Sequence, residues 1–240
     1  MNTSIIKKFK NLLQSFGSIL DPKQLLTKSL LKVYFPVCLF IFCIWLSTKI
    51  ADISVYELVA DPNEIGNIAP YSGMVSTIGV LFFGSIVSIC FFTAYLFNKK
   101  DKSEQKWRLF FQASGCFVLL LLIDDVFQIH ENFSTIIFGT GVDISKTNKT
   151  LQNILETIIF GCYGLLFVGY FVYFRKLINL TNCSYLVLSF IFFGLSLIVD
   201  MSPETIAGHF ILEEGFKLLG IVSLATYYIQ VCYQKLKSKS

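Results

Sequence analysis

The chain contains only two histidines, His130 and His209, and both stand beside carboxylates within otherwise apolar sequence. The stretch Asp124-Asp125-Val-Phe-Gln-Ile-His130-Glu131 closes one apolar run, Glu156 opens the next, and Asp200 ends another. His209, Glu213, Glu214 and Lys217 punctuate the last. A charged side chain at bilayer depth costs roughly 2.5–3.5 kcal/mol on insertion scales, so such groups must face an interior and be paired, neutral or bound to a cation. Nine acids and histidines together with Lys217 exceed what packing alone needs.

Helical spacing sorts these groups onto faces. Asp124, Gln128 and Glu131 fall at i, i+4 and i+7 and form one stripe, with Asp125 turned ~100° away. His209, Glu213, Lys217 and Gly220 form a second stripe, with Glu214 one position round. His209 and Glu213, one turn apart, can ligate one metal from a single helix face. Asp124, Glu131 and Asp200 would add oxygen ligands, and His130 a second imidazole. Two imidazoles among several carboxylates suit Zn, Fe or Mn, although the Glu-x-x-His pairs of di-iron bundles are absent. Glu156 or Glu214 would then serve as general base on metal-bound water. Lys217 joins this catalytic set, within reach of Glu213, Glu214 or Asp200 as a charge partner.

The elements that must position these residues are membrane helices. Of the 240 residues, 54% are hydrophobic and 15% charged, against roughly 25% charged in average soluble domains. Mean hydropathy is +0.65, and the apolar residues come in unbroken blocks. That excludes a soluble enzyme, a disordered chain and a disulfide scaffold. The seven cysteines show no Cys-x-x-Cys spacing. Cys38, Cys43, Cys90, Cys116 and Cys162 lie inside apolar runs and read as small buried hydrophobes. Arg108 and Arg175 are the only arginines among 20 basic residues, too few planar forks for nucleic-acid recognition.

Six stretches are long enough to cross ~30 Å of hydrocarbon, near 31–49, 73–97, 108–130, 153–174, 183–201 and 205–231. Pro36 falls inside the first, where a kink is tolerated. The last has a start signal, with Ser202 as N-cap, Pro203 at the first helical position and Glu204 in the first turn. Residues 1–22 carry Ile5, Phe9, Leu12, Leu13, Phe16 and Leu20 at helical spacing among lysines, which predicts an interfacial helix on the cytoplasmic leaflet. The fold class is therefore all-α and polytopic: an amphipathic segment 1–22, one six-helix transmembrane domain over 30–232, and a basic tail 233–240.

Charge orients the chain. The N-terminal segment, the connections near 98–108 and 175–182, and the tail together hold 16 of the 20 basic residues, so the positive-inside rule places both termini in the cytoplasm. With that orientation, four helices deliver ionisable groups to one level in the outer half of the membrane. Elsewhere, Ser76, Gly79, Ser85 and Ser88, and likewise Gly161, Gly164 and Gly169, read as small-residue helix contacts. Ser76 is a candidate hydroxyl for the site. The connections at 50–72 and 132–152 are long enough to cover it.

Three function classes follow. The first is a metal-dependent intramembrane enzyme of hydrolase type, in which metal-activated water attacks a lipid or other amphiphile from the outer leaflet. The second is a proton- or cation-coupled transporter. The third is a non-catalytic assembly or accessory subunit. All three expect an integral membrane protein, in a bacterial plasma membrane, with its polar site toward the extracytoplasmic side and no nucleic-acid partner.

Overall fold

The structure, a computed structural model, describes residues 28–50, 73–97, 101–129, 149–200, 202 and 208–238. The described residues form six helices and no strand: α1 (Lys28–Ile50), α2 (Met74–Leu96), α3 (Lys102–Phe127), α4 (Lys149–Ile178), α5 (Ser184–Asp200) and α6 (His209–Lys237). Five are long and apolar enough to cross a membrane, and α5, at 17 residues, is shorter. A lipid bilayer is the environment that such apolar helices require, since helices satisfy their backbone internally. The basic amphipathic segment 1–22 lies outside the described residues.

Several helix ends differ from those the sequence predicts. Helix α3 begins at Lys102 rather than 108, because Asp101 caps it by accepting from the Ser103 N–H at 2.7 Å. It ends at Phe127, where Gln128 turns into the left-handed region (φ 47) and donates its N–H to the Asp124 carbonyl. Helix α6 begins at His209, after Gly208 takes a positive φ of 84 that glycine alone adopts without strain. Ser202 is not its N-cap. Both the N–H and the hydroxyl of Ser202 donate to the Val199 carbonyl and finish α5 instead.

The chain divides into two compact units. The first takes in α1, the opening turns of α2, α5 and α6 as far as Gln230. Its core clusters Ile44, Val75, Leu218 and Val222. Helix α6 runs antiparallel to α1, with Tyr34 against Ser223 and Ile41 beside Gly215. It packs on α5 through Phe192 on Phe216 and through Phe193 over Gly220. Ser196 fastens the same pair by donating to the Glu213 carbonyl at 3.0 Å.

The second unit takes in α2 from Val80, α3, α4 and the end of α6. Antiparallel α3 and α4 meet through an aromatic seam: Phe110 on Tyr170 and Phe174, and Phe117 on Phe167 and Tyr170. Ser114 and the Tyr170 hydroxyl bond at 2.7 Å within it. Near the chain's basic end, the Lys235 ammonium sits 4.0 Å from the centre of the buried Trp107 ring, a cation–π contact.

The small residues behave in two ways. Gly79 packs tightly, since a methyl there would lie 3.1 Å from Ile221. Gly161, Gly164 and Gly169 on α4 face open space instead, and Ser85 and Ser88 are exposed and bond back to the Leu81 and Gly84 carbonyls. Among the described residues, these five make no close helix contact. All seven cysteines are free. Cys90, Cys183 and Cys232 are buried, whereas Cys38, Cys43, Cys116 and Cys162 are exposed, contrary to the burial expected of them. A thiol facing hydrocarbon is as well solvated there as a small apolar side chain.

Candidate functional site

The ionisable residues of α6 lie at its N-terminal end in the first unit. His209 is 4% exposed, held edge-on to Phe210 with ring centroids 5.2 Å apart. Its Nδ1 lies 3.8 Å from Glu213 Oε2, as the i, i+4 spacing predicts. That is too far for a hydrogen bond. Among the described residues, neither ring nitrogen of His209 has a hydrogen-bond partner. Two donors each about 2.1 Å from one ion lie roughly 3–3.5 Å apart, so a small rotamer adjustment would let the imidazole and carboxylate share a cation.

One turn below, the Lys217 ammonium bonds to Glu214 Oε1 at 3.3 Å. The adjacent-face carboxylate is thus one of the three partners the sequence allows. The stretch 209–217 carries two carboxylates and one lysine ammonium. Asp200 is exposed at the end of α5 and does not share the burial of His209. Proximity to the end of a membrane helix is the physical reason, because water and headgroups reach a terminal carboxylate.

In the second unit, Asp124 and Asp125 are both buried near the end of α3. The Tyr163 hydroxyl of α4 hydrogen-bonds to Asp124, a partner absent from the sequence reading. Gln128, buried as well, does not extend a stripe toward Glu131, because its left-handed conformation ends the helix. His130, Glu131 and Glu204 lie outside the described residues, as does the side chain of Glu156, whose backbone falls in α4. Ser76 is buried in the first unit. Among the described residues, no group of three or more His, Cys, Asp or Glu side chains is arranged to hold a metal.

An open apolar groove of about 840 Å³ runs along the second unit, between Val80–Ile89 of α2 and Leu122–Phe127 of α3. Gly84 forms its notch, with nothing within 4 Å of where a side chain would begin.

The family model described as "Domain of unknown function (DUF8692)" matches residues 33–231. The chain belongs to this family. It is a multi-pass membrane protein carrying that domain. No curated protein and no solved structure matches it. The matched span runs from Val33 in α1 to Val231 in α6 and so contains every candidate site residue, while the basic segment 1–22 and the tail 233–240 fall outside it.

Proposed function

We propose that this protein is a carrier for a divalent metal cation, built from six spanning helices with both termini in the cytoplasm. In this reading His209 and Glu213 capture the cation from the extracytoplasmic side. The observation that carries it is the buried imidazole of His209, with both nitrogens lacking hydrogen bonds among the described residues and a carboxylate 3.8 Å away. A resident zinc takes three or four protein ligands. Two donors on one helix face leave most of the coordination shell to water, which suits an ion that must leave again. The cation is the cargo, and Zn, Mn or Fe matches the imidazole and carboxylate donors.

The test is uptake into proteoliposomes holding a metal-quenched dye, with Mn²⁺ or Zn²⁺ outside. Wild type should exceed protein-free vesicles, and His209→Ala or Glu213→Gln should raise the half-saturating concentration at least tenfold. Uptake no faster than in empty vesicles sinks the reading.

A second reading, a metal-dependent enzyme acting on a lipid or amphiphile, draws support from the open apolar groove of the second unit. In that reading Glu214 would be the base, and Asp200 would be added to His209 and Glu213 in the ligand set, all of the first unit. Elemental analysis after gel filtration separates the two. A stoichiometric metal lost in His209→Ala favours the enzyme, and a metal that washes out favours the carrier.

A further inference from the structure

The second unit gathers positive charge at one end. Antiparallel α3 and α4 are level there, with the Phe110 and Phe174 rings 5.4 Å apart. Helix α6 joins them where the Lys235 ammonium meets the Trp107 ring at 4.0 Å. The start of α3 brings Lys102, Lys106 and Arg108 to this end. The last turn of α4 adds Arg175 and Lys176, and that of α6 adds Lys235 and Lys237. All seven are exposed or half-exposed, and both arginines of the chain are among them. The same stretches hold two acids, Asp101 and Glu104. Asp101 is committed to the Ser103 N–H as the cap of α3.

Two ordinary roles of surface cations do not account for this group. A cation in the last turn of a helix offsets the negative end of its dipole, which serves for α4 and α6. Lys102 instead opens α3, at the positive end of that helix, where a cation is disfavoured. Pairing inside the protein is the second role. Among the described residues, no carboxylate lies within ion-pair distance of any of the seven. Their compensation comes from outside the chain.

The surface next to these cations is apolar and exposed. Lys102, Lys106 and Leu109 fall at i, i+4 and i+7 on one face of α3, and Leu109 is exposed. Val172 and Tyr173 precede Arg175 on α4, Tyr233 precedes Lys235 on α6, and all three are exposed. Tyrosines beside basic residues mark a membrane–water interface. A soluble anion would use the charged groups alone. A ligand with an anionic head and a hydrocarbon tail uses both layers, and the bilayer supplies one in its anionic phospholipids. Their phosphates accept paired hydrogen bonds from guanidinium groups, and basic surfaces at the cytoplasmic ends of spanning helices bind such heads.

We infer that this end of the second unit is a docking surface for anionic phospholipids. Headgroup phosphates meet the seven cations, and acyl chains lie on Leu109, Val172, Tyr173 and Tyr233. In the orientation proposed above, these lipids belong to the cytoplasmic leaflet. The surface is distinct from the His209–Glu213 pair of the first unit, so the inference does not depend on the carrier reading.

The test is lipid retention by the full chain. Protein in detergent is mixed with equal amounts of phosphatidylglycerol and phosphatidylcholine bearing the same acyl chains. After gel filtration, the co-eluting lipid is measured by mass spectrometry. Wild type should retain phosphatidylglycerol at least fivefold over phosphatidylcholine, and high salt should lower that ratio because exposed charges are screened. Lys102→Gln, Lys106→Gln, Arg175→Gln and Lys176→Gln combined, all at exposed positions, should cut the ratio at least threefold. The milder pair Lys106→Gln with Arg175→Gln should cut it at least 1.5-fold, with the melting temperature in phosphatidylcholine unchanged. Lys32→Gln, at an exposed position of α1 in the first unit, should leave it unchanged. Equal retention of the two lipids by wild type overturns the inference, as does a wild-type ratio in both the combined and the milder variant. A loss in Lys32→Gln as large as in the milder pair overturns the placement on the second unit. Displacement of the lipid by millimolar inorganic phosphate overturns the phospholipid as the ligand.

Discussion

Helices α4 and α6 invert the rule that governs soluble proteins. The spanning window of α4 has a hydropathy of 1.8 and is 11% buried within the protein, whereas that of α6 has a hydropathy of 1.3 and is 67% buried. The more apolar helix is the more exposed. With lipid as solvent, apolar surface gains nothing from leaving it, while every polar group must find a protein partner. Leu165, Val168, Val172 and Tyr173 can therefore stand outward on α4, and His209, Ser223, Tyr227 and Tyr228 are drawn inside on α6. In this molecule, the least apolar of the five candidate spans is the one around which the first unit is assembled.

That contrast can be broken most forcefully by placing a charge on the lipid face. Leu165, 75% exposed, changed to Lys should cost roughly 2.5–3.5 kcal/mol of insertion free energy. The membrane-inserted fraction in a glycosylation or protease-protection assay should fall accordingly, although the native Lys217 inside α6 is accommodated.

A second, smaller effect separates crowded from open glycines. Gly220→Ala drives a methyl into Phe193 and should destabilise by about 1–3 kcal/mol, read as a lower melting temperature in detergent. Much of the loss should return in the double variant with Phe193→Ala, because the two residues touch. Gly164→Ala on α4, with open space around it, should do the reverse and stabilise by about 0.5–1 kcal/mol through helix propensity alone.

The spans were legible because twenty-residue apolar runs have few other structural solutions. Their ends were not equally so. Asp101 with Glu104 three residues on is a capping-box pattern, present in the sequence but hidden by the lysines around it, which made 98–108 read as a loop. Gln128 carries no such mark, since a left-handed glutamine is set by its surroundings rather than by its type. In the site, the His209–Glu213 pairing follows from one turn of helix and could be read directly. The exposure of Asp200 could not, because an acid at a helix end looks the same in sequence whether headgroups or protein surround it. Outside it, the Tyr34–Ser223 hydrogen bond and the buried Ser189 hydroxyl escaped because neutral hydroxyls leave apolar runs unbroken. The spacing of Tyr185, Ser189 and Ser196 along one face of α5 was the available signal.

The brevity of α5 reaches beyond the fold. Its 17 residues extend only about 25 Å at 1.5 Å each, several ångströms short of an average hydrocarbon core of ~30 Å. Such hydrophobic mismatch is relieved by local thinning of the bilayer or by flanking side chains reaching to the interface. A membrane drawn in around α5 would be thinnest beside the first unit, and thicker, sterol-rich membranes would be the less hospitable host.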